Sequence, residues 1–236
     1  MSQRDKDENL DQGVIDGFGH EWTAFDYAEI ETAEALDAQF VAYCAPIDLT
    51  VFNPSTSIAA DFGAGSGRWS SRLAQYFSLV YALEPSDGAS AVLNRKFTDD
   101  PKITVLKETV GVNSIPMQSL DLAMSLGVLH HIPDTELAIK DVSNRIKPGG
   151  YFLCYLYYDL ENKPLYYKMI FLGVNLVRRV ISSLPQPLKR MSATIIAALI
   201  YWPLARLSKL FRETKPRHIE FSSPSLCRYA VCNACQ

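Results

Sequence analysis

The chain has 236 residues, 48% hydrophobic and 21% charged, with a formal net charge of −3. These proportions exclude a disordered chain and suffice for one domain with an elaboration around a buried core. The small net charge hides a segregation: residues 1–162 hold 11 Lys/Arg against 24 Asp/Glu, whereas residues 163–217 hold 11 Lys/Arg against Glu213 alone. The basic part therefore faces something anionic, or is attracted by the acidic part.

Residues 1–16 are polar and acid-rich, so they are expected to fray. They lack a basic start followed by an apolar run, which argues against a signal peptide and makes the cytoplasm the default location. Gly17 to Phe25 is dense in aromatics for a terminus. Residues 29–44 place Ile30, Ala33, Leu36 and Phe40 at steps of three and four, which predicts an amphipathic helix. Pro46 and Asn53-Pro54 then punctuate the entry to a first strand.

Residues 56–70 organise the rest. An apolar run ends in Asp61, glycines follow at 63, 65 and 67, and a helix-compatible run starts at Arg68. Strand, glycine turn and helix in this order form the floor of a nucleotide pocket, because glycines permit the turn and let a ligand approach the main chain. Dinucleotide-binding turns read G-x-G-x-x-G. Here the third position after Gly65 is Arg68, which disfavours a nicotinamide cofactor.

Residues 78–84 read as a second strand, buried on both faces and ending in Glu84. Glu84 stands 17 residues beyond Gly67, which puts a carboxylate where it can accept both hydroxyls of a ribose. A helix over 88–98 and a strand over 103–106 follow. Asp121 opens a fourth strand through Leu126, which exits into Leu129-His-His-Ile-Pro-Asp134. A His pair at the carboxyl end of such a strand faces the pocket, and one His suits a general base. Pro133 starts a helix that leads to Lys147-Pro-Gly-Gly150, a turn before a fifth strand at 151–156. Tyr155, Tyr157 and Tyr158 follow as candidates for shaping an acceptor site.

Together, Asp-x-Gly-x-Gly-x-Gly at 61–67, Leu-His-His-Ile-Pro-Asp at 129–134 and Lys-Pro-Gly-Gly at 147–150 resemble the class I S-adenosylmethionine-dependent methyltransferases, in particular the type 11, ubiquinone-biosynthesis-like group. The resemblance covers roughly residues 17–160. It implies an α/β, Rossmann-like fold whose mainly parallel sheet carries helices on both faces. It further implies an S-adenosylmethionine site made from Asp61, Gly63, Ala64, Gly65, Gly67, Glu84, Asn113 and Leu126, with His130 or His131 as base. Asn113 stands where the group often has an acid, and its amide oxygen would serve the adenine amine instead. In some related enzymes an aromatic N-terminal segment covers the cofactor, and Gly17 to Phe25 suits either that role or a packing anchor.

The implied organisation is a cap at 1–45, a cofactor-binding core at 46–160, a basic apolar helical segment at 161–217 and a tail at 218–236. The helical segment contains apolar stretches at 165–180 and 193–210, both too interrupted to span a bilayer. It suits a lid over the acceptor pocket, and 163–217 also suits peripheral contact with an anionic membrane. His218 to Phe221 offers one strand, but the end does not resemble the group's final strand pair. An incomplete sheet and a non-catalytic, cofactor-binding protein are therefore the alternative to a methyltransferase acting on a small-molecule or lipid-linked acceptor. Nucleic acid is not expected, since no binding motif accompanies the basic segment. No metal is expected either: Cys44, Cys154, Cys227, Cys232 and Cys235 are an odd set, and the C-x-x-C at 232–235 has only His218 nearby as a further ligand besides Cys227.

Overall fold

The computed structural model describes residues 9–24, 32–157, 164–203, 206 and 229–233. The chain divides into one unit of residues 1–157 with 225–236 and another of residues 158–224.

In the first unit the apolar runs become neighbouring strands because each is short, apolar on both faces and punctuated by turn residues. Strands β1 (Ile58–Phe62), β2 (Leu79–Leu83), β3 (Ile103–Leu106), β4 (Leu120–Leu126) and β5 (Ile146–Tyr155) form a parallel sheet, and β6 (Tyr229–Asn233) joins antiparallel to β5. The order is β3-β2-β1-β4-β5-β6. The reversal of direction at β1 and β4 makes a topological switch point, where α/β sheets bind ligands.

Helices cover both faces: α1 (Gln12–Ala24), α2 (Ala33–Cys44), α3 (Ser70–Leu73), α4 (Asp87–Phe97) and α5 (Thr135–Ser143). On one face Phe40, Leu73, Phe77, Val80, Leu93 and Leu122 pack together, and on the other Phe62, Leu83, Leu120, Val142 and Phe152. Adjacent residues of one strand, such as Leu122 and Ala123, fall in opposite layers, as the pleat requires. Helix starts follow their caps. Thr32, Ser86 and Asp134 each accept a backbone N–H of the first turn with their side-chain oxygen.

Several sequence expectations change here. Residues 12–16 are helical instead of frayed: Asp11 accepts the Val14 N–H at the helix start, and Leu10 is buried. The helix expected from Arg68 shrinks to α3, with turns on either side of it. Lys147 to Gly150 lie within β5 as an irregularity in its pairing with β4, with Leu120 opposite Ile146 but Leu122 opposite Tyr151. Gly150 is required there, since a Cβ would stand 3.0 Å from the Leu120 carbonyl oxygen. Asp121 ties this corner together by accepting from Ile58 N–H at 2.7 Å and from Lys147 Nζ at 2.8 Å.

The sheet does not stop at β5. Residues 229–233, read from sequence as tail, supply the antiparallel edge, while the strand candidate at 218–221 lies outside the described residues.

The second unit contains α6 (Leu165–Ser182) and α7 (Gln186–Ile196), the latter continued by a π-turn over Ala197–Tyr201. α7 begins seven residues before the apolar stretch expected from 193, because Pro187 lies in the first turn, where proline is tolerated. Among the described residues no helix is long and apolar enough to cross a membrane.

Candidate functional site

β1 and β2 end side by side, and the turn after β1 is pinned to the end of β2. The N–H groups of Gly63 and Ala64 both donate to the Leu83 carbonyl, each at 2.9 Å, and the Gly65 N–H donates to Glu84 Oε2 at 3.0 Å. Gly63, Gly65 and Gly67 all have positive φ (82°, 55° and 76°), which is the steric reason for glycine at these positions. Each also leaves room for a neighbour. A Cβ on Gly63 would meet Val128, on Gly65 the Trp22 ring, and on Gly67 the Phe97 ring at 2.4 Å. The close approach expected of a third glycine is thus made by Gly67 against α4. Arg68 turns away, donating to Gln39 and lying over the Trp69 ring.

Glu84 is 5% exposed. Its Oε1 accepts the Ser86 N–H at 3.0 Å, so each carboxylate oxygen has one backbone donor and keeps lone-pair capacity for another. Asp61 is 2% exposed beneath the turn, accepting from Ser70 Oγ at 2.7 Å. Burial raises its pKa to about 6; the Ser70 hydrogen bond opposes the rise and the Glu84 charge adds to it.

A cavity of about 840 Å³, counted out to its open mouth, lies over these strand ends. Gly63, Glu84, Leu126 and His131 line it. Asp61, Ala64, Gly65 and Gly67 do not; they shape the turn from beneath or face other helices. Asn113 is also outside the lining. Its Nδ2 donates to the Val110 and Thr109 carbonyls, and its Oδ1 accepts from Arg145 Nε at 2.6 Å. The amide therefore folds the loop that presents Thr109 and Val110 to the cavity.

The roof is α1 with the residues before it. Leu10, Val14, Ile15, Phe18 and Trp22 line the cavity from above, and only the Phe18 and Trp22 segment carried a sequence signal. Two glycines hold α1 against α4. A Cβ on Gly88 would meet the Gly19 carbonyl oxygen at 2.8 Å, and one on Gly19 would meet Ser86 at 3.0 Å. Ahead of α1, Asn9 Nδ2 donates to the Asp134 carbonyl and Asn9 Oδ1 accepts the Asp134 N–H, both at 2.8 Å.

His130 and His131 sit in a single 3₁₀ turn, Leu129–His131, with ring centroids 4.1 Å apart. His131 also meets the edge of Phe18 at 4.9 Å. His130 stands behind it against Tyr157 at 4.2 Å, and among the described residues neither of its ring nitrogens has a hydrogen-bond partner. Burial and then the neighbouring His131 push the His130 pKa down to about 4, and burial lowers that of His131. At neutral pH this leaves the His130 ring uncharged and resistant to protonation. Tyr157, Tyr155, Tyr43 and Trp69 continue a string of rings away from the histidines, with successive centroids 5.7, 6.1 and 5.4 Å apart.

Residues 60–154, which hold the glycine turn, Glu84 and the His pair, match a family described as a methyltransferase domain, of type 11. Over these residues the chain is similar to the class I S-adenosylmethionine-dependent methyltransferases. Among its relatives, an uncharacterized methyltransferase of Mycobacterium tuberculosis is 28% identical over 95 residues, which is 40% of this chain and 48% of that protein. One from Geobacillus is 28% identical over 102 residues, 42% of this chain and 47% of that protein. The chain spans about half the length of the curated relatives it matches. A solved geranyl diphosphate C-methyltransferase of Streptomyces coelicolor, with Mg²⁺, geranyl diphosphate and S-adenosyl-L-homocysteine bound, superposes with a TM-score of 0.50 at 12% identity. The superposition covers 59% of this chain and 53% of that one, a likeness of fold.

Proposed function

We propose that the chain binds S-adenosylmethionine in the cavity beneath α1 and passes its methyl group to a small-molecule or lipid-linked acceptor. The observation that carries this reading is the buried Glu84 carboxylate, held by Gly65 and Ser86 N–H groups at the floor of an otherwise largely apolar cavity. Those two donors fix the carboxylate and leave it acceptor capacity for a vicinal diol. Gly63 bares the main chain beside it, while Leu83, Val110 and Ile132 offer the apolar walls that a purine ring requires. The donor, when bound, supplies a methyl group already made electrophilic by the sulfonium.

The chain's remaining task is alignment and proton removal. We assign acceptor-proton removal to His131, which lines the cavity, with the uncharged His130 ring packed behind it.

Calorimetric titration with S-adenosylhomocysteine tests this. Wild-type chain is expected to bind at micromolar levels, and Glu84→Gln to bind roughly 10- to 100-fold more weakly, the loss of charge-assisted hydrogen bonds to the carboxylate. Unchanged affinity in Glu84→Gln, or no binding by a folded wild type, would overturn the reading.

A further inference from the structure

We infer that α6 and α7 form a docking surface for an anionic lipid bilayer, lying along its headgroup plane. This goes beyond methyl transfer and does not depend on it.

Unfolding α6 onto a helical wheel at about 100° per residue gathers Lys168, Asn175, Arg178, Arg179 and Ser182 in one arc of about 100°. Apart from Phe171, the rest of the circumference, from Leu172 through Leu176, Tyr166 and Ile170 to Tyr167, is apolar or glycine. No residue of α6 is buried, and Leu172 is 64% exposed. α7 repeats the pattern: Leu188, Met191, Ile195 and Leu199 recur at steps of three and four, all exposed. Soluble surfaces rarely leave so large an apolar area uncovered.

Charge decides what covers it. Residues 164–203 carry five Lys/Arg and no Asp/Glu, within a segment of 11 Lys/Arg against one Glu. A second copy of the same surface would match the apolar area but bring two strongly basic segments together. The acidic first unit matches the charge, but among its described residues the exposed large apolar side chains are few and spread over separate elements, as at Val41, Val112 and Leu137. An anionic bilayer meets both demands, since its headgroups attract the cations and its acyl boundary accepts the apolar arc. Trp202, with Arg206 Cζ 3.8 Å from its ring centroid, adds an aromatic and cationic pair of the kind that sits at such an interface.

The test is flotation of the full chain with vesicles of phosphatidylglycerol and phosphatidylcholine in equal parts, beside vesicles of phosphatidylcholine alone. Association with the anionic vesicles is expected to exceed that with neutral ones by about tenfold or more and to weaken at high salt. Leu172→Glu with Leu176→Glu should abolish it, and Arg178→Glu with Arg179→Glu should weaken it about tenfold or more, while both variants bind S-adenosylhomocysteine as wild type does. Wild-type chain that fails to float with anionic vesicles overturns the proposal. Equal binding to neutral vesicles, or retention in both variants, does so too.

Discussion

α4 and α6 are both amphipathic helices, yet they end in opposite conditions. α4 is short and only mildly apolar, but Ala89, Val92, Leu93 and Phe97 are buried against the sheet, and Gly88 lets α1 rest on it. α6 is longer and richer in large apolar residues, yet none is buried. Amphipathic periodicity thus foretells a helix in both places, but the phase that receives the apolar face depends on what the topology sets beside it. For α4 that is a sheet, and for α6 we have argued that it is a lipid surface.

The comparison breaks most sharply under paired truncation. Leu93, fully buried, and Leu176, 65% exposed, differ in burial but not in chemistry. Leu93→Ala should cost about 2–5 kcal/mol of folding stability, and Leu176→Ala about 0.5 kcal/mol or less, both read by urea denaturation. Equal losses would mean that α6 is covered within the folded chain.

A smaller effect is expected at the α1 contact. Gly88→Ala forces a methyl against Thr23 and the Gly19 carbonyl and should cost about 1–3 kcal/mol. It should also weaken S-adenosylhomocysteine binding if α1 is the roof of the site. Unchanged binding at reduced stability would separate the helix contact from the cavity.

Asp61 and His130 should give the first unit a pH response that α6 and α7 lack, because residues 164–203 contain no Asp, Glu or His. The folded state holds the Asp61 proton more tightly than the unfolded state does, with a pKa raised from 3.8 to about 6. That contribution is present below about pH 4 and is lost as pH rises through 6. Asp61→Asn should therefore gain on wild type over this interval, by roughly 1–3 kcal/mol at pH 7. His130 acts in the opposite sense: its folded pKa of about 4 lies below 6.5, so its contribution grows as pH rises across that window. Denaturation curves from pH 4 to 7 check both signs.

Sequence reading reached parts of this arrangement unequally, for physical reasons. The turn after β1 was legible because positive φ demands glycine, and Glu84 because a carboxylate closing an apolar strand is costly without a purpose. Leu10, Val14 and Ile15 were not, since their partners are strand ends far along the chain and their neighbours are polar. β6 escaped notice because residues 229–233 pair with the free edge of β5, a relation that a short, cysteine-bearing segment does not advertise. Asn113 was read as a ligand contact from its place before Ile115-Pro116, whereas Arg145, 32 residues later, engages its amide oxygen.

Asn9 meets the backbone of Asp134 on both its donor and acceptor sides, while the Asp134 side chain caps α5. One residue thus fastens the covering segment to the loop that bears the two histidines. Asn9 and His131 both line the cavity, so its cover and its histidine wall share one joint through the backbone of Asp134.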